Sequence, residues 1–465
     1  MPTPHPSRRS VIRAAALTAG ATAVGASQLR WPATASAYEV PPRMRWWYEG
    51  RFGMFIHFGS YSHLAHGEWA FHQEGWSKAD YQAQVSRPFN PTAYDPAQIA
   101  ELAANAGMKY LVITAKHHEG YAMWDSQVAS FTDTTGTTPY NLHDYSGYQG
   151  GDLLGRLKSE CEQRGVRFGL YYSIMDWSHR SQTIQGSFTR MSSTDARAAY
   201  ITDMKAQLTE LLTRYDPAVM WFDGDWCGSP GTPTLNDWWI AADGQDLYDW
   251  LLARSPDLVV NERVKRGFGL GDFECPEQTV PPAPLSRPWE TCATMNGVWG
   301  YTGWAETNYR SVDAIIEEFT TVVSRDGNYL LNIGPRGDGT VPDGAVNVLT
   351  GLADWMADNA DSIHGASGSP FAEEPAWGRC TVKDGTLFAH VHDRPADGLL
   401  RLPALAQPVR RASLLAAPGI PIPHATRDGQ LTVAIPAPAT ASRGPVVVRL
   451  DVDGVPAPAR GGRHR

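Results

Sequence analysis

The stretch "YITDMKAQLTELLTRY" (200–215), followed by "PAVMWFDGDW" (217–226), contains the organisation of this chain in a single unit. Its first half repeats apolar residues at helical spacing, as in a helix with one buried face. Its second half is a short apolar run opening at Pro217 and closing before Gly224, which reads as a fully buried strand. That strand ends in two carboxylates, Asp223 and Asp225. Burying a carboxylate without a partner costs several kcal/mol. Acids in this position make sense when the strand's end opens onto a polar site.

The same grammar recurs along the chain. Helical patterns at 95–107, 152–165, 244–255 and 311–326 each lead into an apolar segment: "MKYLVITAKHHEG", "VRFGLYYSIMDW", "PDLVVNERV" and "GNYLLNIGP". Ahead of them stands "RFGMFIHFGSY" (51–61), and "RPWETCATM" (287–295) is a further strand candidate. Alternation of this kind implies a parallel sheet with helices outside. Seven strand candidates come close to the eight of a (β/α)8 barrel. A doubly wound open sheet is the alternative, but no G-x-G-x-x-G follows the first strand. In a barrel the functional groups gather at the strand C-termini. Asp223 then ends a wall strand with its carboxylate in the site, while Asp225 falls at the solvated start of the following loop.

From about residue 371 the pattern changes to short alternating runs such as "TLFAHVHD", "LLRLPAL", "ASLLAAPG", "LTVAIPA" and "PVVVRLDV". These predict a small antiparallel β-sandwich over 371–456. A frayed tail is expected at 457–465, and the barrel occupies 38–366. Packing against the barrel is the expected role of the sandwich, with carbohydrate binding the alternative.

The first 37 residues read as an export signal. Arg8 and Arg9 precede a weakly apolar stretch, and "ASA" at 35–37 fits a small-residue cleavage site. The paired arginines point to the twin-arginine route out of a bacterial cytoplasm. The apolar part is too short and interrupted to span a membrane. A net charge of −9 argues against nucleic acid or an anionic membrane as the main partner. The five cysteines lack any CxxC spacing, which excludes a zinc ribbon or a disulfide-dense scaffold, and their odd number leaves at least one thiol unpaired within the chain. Seventeen Trp and eighteen Tyr supply faces suited to the C–H faces of sugars, although core packing absorbs aromatics as well.

The polar residues at the predicted strand ends are His57, His117, His118, Tyr171, Tyr172, Asp176, Asp223, Asp225, Asn261, Arg263, Glu290 and Asn332. Such a set serves metal-free sugar hydrolysis, which needs one carboxylate nucleophile and one proton donor, or a metal-dependent hydrolase built on His and Asp ligands. Adjacent His117 and His118 on a strand would point to opposite faces, so only one reaches a given centre without a bend. No H-E-x-x-H accompanies them.

Six motifs in order, "GMFIHFGSYS", "YLVITAKHHEGYAMWDS", "GLYYSIMDW", "VMWFDGDW", "WETCATMNGVWGY" and "GNYLLNIGPRGDGTVP", closely resemble the α-L-fucosidases of glycoside hydrolase family 29. They span some 290 residues; the region after 371 contributes nothing to the likeness. The resemblance implies a (β/α)8-like barrel followed by a β-sandwich, and a retaining mechanism without metal or cofactor. It implies hydrolysis of terminal α-L-fucosides on glycans or oligosaccharides. A fucose-binding lectin without turnover and a glycosidase for α-L-galactosides are the alternatives. Carried over by motif, Asp223 is the nucleophile. The fucose-binding groups are His57, Glu68, Trp69, His117, His118, Tyr171, Trp221 and Arg263, with Tyr172 the rival of Tyr171 for the inward position. For the acid/base, Glu277 of "GDFECPEQ" (271–278) best matches the family position, and Glu290 is the runner-up, with orientation of other groups as its other role. "NERV" departs from the Asn-Asp-Arg-Trp of many relatives and removes an aromatic near the leaving-group side. The Gly-rich "GNYLLNIGPRGDG" lacks the Lys-Ser/Thr ending of a phosphate loop.

Overall fold

A computed structural model describes residues 39–226, 233–436 and 444–459. The export signal, Cys227 and the end of the tail from 460 lie outside the described residues.

Among the described residues up to 333 there are nine strands: β1 (Phe52–Ile56), β2 (Tyr110–Lys116), β3 (Arg167–Ser173), β4 (Gln182–Gln185), β5 (Phe188–Met191), β6 (Val219–Asp223), β7 (Val259–Val260), β8 (Glu290–Thr294) and β9 (Asn328–Ile333). Seven of them make one parallel sheet in the order β7-β6-β3-β2-β1-β9-β8. These are the seven strand candidates of the sequence, and β4 with β5 is an additional hairpin in the loop after β3. The strands are buried along almost their whole length, as expected when both faces of a sheet are covered.

The eighth position is filled by an irregular segment. Parallel bridges join Asn261 to Phe273 on one side, and Glu274 to Trp289 and Glu277 to Cys292 on the other. Residues 272–278 thereby connect the two edges of the curled sheet. Pro276, and pairing through isolated bridges rather than a continuous ladder, explain why no periodic pattern marked this stave. Strand β7 is shorter than "PDLVVNERV" suggests because Asn261 ends it. Its side-chain amide accepts from Phe222 N–H (2.8 Å) and donates to Phe222 C=O (2.9 Å), taking over the pairing a strand backbone would make. The chain then turns into the short helix Glu262–Val264.

The outer helices begin where capping residues stand. Asp95, Asp152, Ser193 and Ser311 each accept a hydrogen bond from a backbone N–H of the first turn, the usual way to satisfy orphan donors at a helix start. The Ser193 cap places the start of the helix Thr194–Tyr215 six residues ahead of the apolar pattern read from 200. Beyond 371, a five-stranded and a three-stranded antiparallel sheet share a core of Leu387, Ala389, Leu400, Leu402, Leu431, Val433, Val448 and Leu450. Alternate residues Phe388 and Val447 instead join the barrel cluster, and Trp355 Nε1 donates to Pro445 C=O at 2.9 Å. The sandwich therefore packs on the barrel's helices. Residues 457–459 pair with 404–406.

Glu290 opens β8 and so sits low in the barrel, away from the strand C-termini. It is 1% exposed. Trp47 and Trp221 donate their indole N–H groups to it, both at 3.2 Å, and Tyr110 donates its hydroxyl. Burial nevertheless pushes its carboxyl from 4.5 up to about 7, against the pull of those three donors. A raised folded-state value favours the protonated form, so the stability contribution is intact at pH values below about 4.5 and is lost as pH climbs through about 7. The difference in unfolding free energy between wild type and Glu290→Gln, measured by urea denaturation from pH 5 to pH 8, is expected to move in favour of the variant by on the order of 3 kcal/mol as pH rises. A pH-independent difference contradicts this assignment.

Candidate active site

Asp223 ends β6 beside Ser173 at the end of β3, at the rim where the parallel strands finish. One pocket at this rim is lined by Phe55, His57, Glu68, Trp69, His117, His118, Tyr171, Trp221, Asp223, Trp226, Arg263, Glu277, Cys292 and Trp299. Every residue carried over from the motifs lines this pocket except Glu290. That side chain lies beneath Trp221, bound to its indole, for the reason already given: it begins its strand, whereas pocket groups end theirs.

Asp223 is 8% exposed, and its carboxylate meets two arginines, a tyrosine and a histidine. Its Oδ1 accepts from Arg263 Nη1 at 2.9 Å and Arg266 Nη2 at 3.0 Å. Its Oδ2 accepts from the Tyr171 hydroxyl at 3.1 Å and faces His118 Nε2 at 3.6 Å. Burial works against ionisation, but the Arg263 guanidinium, joined by that of Arg266, outweighs it and holds the group well below the usual carboxylate range. Asp223 is thus charged throughout the neutral range.

Arg263 is the joint of the site. Its Nη2 donates to Glu277 Oε2 at 2.8 Å while its Nη1 holds Asp223. Its guanidinium also lies over the Trp221 ring at 4.6 Å. The short helix that follows Asn261 delivers it, and the eighth stave brings Glu277 to meet it. Glu277 is the more open acid, with a side chain 42% exposed against 12% for Asp223.

Asp225 corrects the sequence reading. It is fully buried rather than solvated, because it accepts from the backbone N–H and the Nε of Arg266, both at 2.8 Å. It braces the second guanidinium on Asp223. Arg266, with no place in the motif pattern, escaped the sequence reading, as did Trp226 and Trp299. Both tryptophans lay in quoted motifs, Trp226 in "VMWFDGDW" and Trp299 in "NGVWGY", and could have been nominated from them.

The two adjacent histidines do not alternate across the wall. Strand β2 stops at Lys116, and His117 and His118 follow it in a turn, rings 4.1 Å apart, both facing the pocket. Lys116 anchors the turn from outside by donating to Asp176 at 3.1 Å. Of the tyrosine pair, Tyr171 faces Asp223, and Tyr172 points outward to donate to Gln207 at 2.7 Å.

The hydrogen-bond network fixes how two imidazoles present themselves. Asn332 donates its amide to Trp299 C=O (2.8 Å), so its Oδ1 accepts from His57 Nδ1 at 2.7 Å. Ser173 donates to Met175 C=O (2.6 Å) and so accepts from His118 Nδ1, also at 2.6 Å. Burial, followed by the neighbouring His117, pushes His57 down to about 3 and His118 well below its ordinary value. Both rings are neutral, and each turns an Nε2 lone pair toward the pocket as an acceptor for a hydroxyl. Glu68 accepts from Gly300 N–H at 2.7 Å through one oxygen and lines the pocket beside the aromatic faces. Hydroxyl acceptors, apolar ring faces and two carboxyl groups together suit a small sugar. Among the described residues, no three His, Cys, Asp or Glu side chains converge on a position for a metal ion.

Comparison with known proteins identifies the family. The family model "Alpha-L-fucosidase" matches residues 19–361. The α-L-fucosidase of Dictyostelium discoideum is 28% identical over 394 residues, 78% of this chain and 80% of that protein. The human tissue α-L-fucosidase is 29% identical over 403 residues, covering 80% and 79%. Among solved structures, α-L-fucosidase isoenzyme 1 of Paenibacillus thiaminolyticus superposes with a TM-score of 0.77 at 31% identity, over 89% of this chain and 99% of that one. With the barrel, the β-domain and the paired acids in place, this chain belongs to the α-L-fucosidase family of glycoside hydrolases.

Proposed function

We propose that this α-L-fucosidase works with retention, through a covalent fucosyl-enzyme on Asp223, with Glu277 as acid/base. One observation carries the reading: a single guanidinium, Arg263, reaches both carboxyl groups in one pocket. A shared guanidinium keeps a nucleophile candidate and a proton-donor candidate together in one pocket, the pairing that the retaining mechanism uses.

The roles follow from surroundings. Asp223 Oδ1 is occupied by two guanidinium groups, whereas Oδ2 accepts one hydrogen bond, from the Tyr171 hydroxyl, and faces His118 Nε2 at 3.6 Å. Oδ2 is therefore the freer nucleophile. In the first step an Asp223–C1 bond forms as the glycosidic C1–O bond breaks, and Glu277 gives its proton to the departing oxygen. In the second, Glu277 takes a proton from water, whose oxygen forms the new C1–O bond and frees Asp223. Arginine and tyrosine donors placed on Asp223 also stabilise it as a leaving group in that step. The neutral His57 and His118 receive sugar hydroxyls, and the tryptophan faces take the apolar side with its methyl group. The arginine pair and "ASA" in the first 37 residues support a site of action outside the cytoplasm.

Purified protein is expected to release the phenol from a 4-nitrophenyl α-L-fucoside, and NMR of the first sugar formed should show α-fucose. Asp223→Gly should lower turnover of every fucoside by at least about a thousandfold, and azide should restore part of it with β-fucosyl azide as product. Near-normal rates in that variant would overturn the nucleophile assignment. Glu277→Ala should spare activated aryl fucosides and slow those with poor leaving groups by about 10²–10⁴. With azide it should yield α-fucosyl azide, and equal losses on both substrate classes contradict the role given to Glu277.

A further inference from the structure

Among the described residues, three imidazoles line the pocket, and the group behind each ring decides which nitrogen it shows to a sugar. His57 rests its Nδ1 on the Asn332 amide at 2.7 Å and His118 on the Ser173 hydroxyl at 2.6 Å, both uncharged partners. His117 differs. Its Nδ1 lies 3.4 Å from Oε2 of Glu119, a carboxyl group on the same turn. Glu119 is 1% exposed and does not line the pocket. Outside this pair, neither Glu119 oxygen nor His117 Nδ1 has a hydrogen-bond partner among the described residues. Glu119 takes no part in the two chemical steps, although a buried carboxyl group with so few partners is costly.

The turn after β2 is shaped to hold the pair. Gly120 N–H donates to His117 C=O at 3.1 Å, closing the turn, and Gly120 itself has a φ of 81°, a conformation open to glycine. On the segment after β1, a Cβ at position 59 would stand 2.9 Å from Glu119 Oε1, so the glycine there leaves the carboxyl group its place. Tyr171 stacks on the His117 ring with centroids 5.4 Å apart, and Tyr61 meets it edge-on at the same separation. These contacts fix the plane of the imidazole but not its sense, because a half-turn of the ring exchanges Nδ1 with Cδ2, atoms of similar size. Glu119 distinguishes the two senses, since it meets an N–H in one and a C–H in the other. Burial pushes the Glu119 carboxyl up, and His117 is foremost among the groups that oppose it.

We infer that Glu119 is a positioning residue: it holds His117 with Nδ1 inward and Nε2 toward the fucose, so that one sugar hydroxyl is recognised by a carboxyl–imidazole pair rather than by a histidine alone. Contacts of this kind are commonly long in the free site and tighten when the ligand is bound. The inference rests on His117 being a fucose-binding group, the role its motif implies.

The test measures kcat/KM on 4-nitrophenyl α-L-fucoside and on its 2-, 3- and 4-deoxy forms. Glu119→Leu and Glu119→Asp, which remove or withdraw the acceptor, should each lower kcat/KM on the parent sugar about tenfold. Glu119→Gln, which keeps an oxygen acceptor at the same reach, should recover most of that loss. In the His117→Ala background Glu119→Asp should cost less than about twofold, because a residue acting through another loses its effect with it. The hydroxyl whose removal matters least to His117→Ala should also be the one whose removal matters least to Glu119→Asp. Should the leucine variant fail to fold, the contrast between Asp and Gln, which both keep a polar side chain, carries the test. A loss that persists in full without His117, or a deoxy profile in Glu119→Asp unchanged from wild type, overturns the inference. Wild-type rates in Glu119→Asp beside a clear loss in His117→Ala would overturn it too and leave the functional reading standing. An unaffected His117→Ala enzyme would overturn the role of His117 and the inference with it.

Discussion

A carboxylate buried at the end of the most apolar strand must stay charged, and the upper face of the barrel is built around that requirement. Asp223 sits where desolvation alone would force it to take up a proton. Two guanidinium groups prevent this, and each is itself held. Asp225 braces Arg266, while the turn that begins at Asn261 aims Arg263. Removing one partner of such a buried pair leaves an uncompensated charge and costs about 3–5 kcal/mol. The strength of the arrangement therefore comes from its completeness rather than from any one contact.

The same arrangement ties structure to chemistry through Arg263. The residue that keeps the proposed nucleophile charged also holds Glu277, so the relative position of the two acids is set by one rigid planar group. Around them the neutral histidines have their proton positions fixed by Asn332 and Ser173. The pocket thus presents acceptors on one side and aromatic faces on another before any sugar arrives, which lessens the cost of ordering them on binding.

Much of this was legible in the sequence. The seven strands were readable because burial on both faces gives apolar runs, and helix periodicity between them leaves few other architectures. Asp223 was readable because a carboxylate at the end of such a run is costly without a purpose. The eighth stave was not, since residues 272–278 pair through isolated bridges and follow no period. Asp225 and Glu290 were misplaced for a shared reason: proximity in sequence to a strand terminus does not say which end of the strand, or which partner, a side chain meets. Arg266 was missed because its partners, Asp223 and Asp225, lie some forty residues away in sequence. The two histidines were expected to alternate, and they do not because β2 ends one residue before them.

In the proposed mechanism Asp223 forms the bond to fucose. The most direct measurement is incubation with 2-deoxy-2-fluoro-α-L-fucosyl fluoride, whose fluorine at C2 slows the second step more than it prevents the first, followed by proteolysis and mass spectrometry. One fluorofucosyl group per chain is expected, on the peptide containing "WFDGDW" and on Asp223 within it, with loss of activity in step with labelling. A label on Glu277 or on Asp225 would contradict it, and so would steady turnover of the fluoro sugar's parent substrate with no label accumulating anywhere.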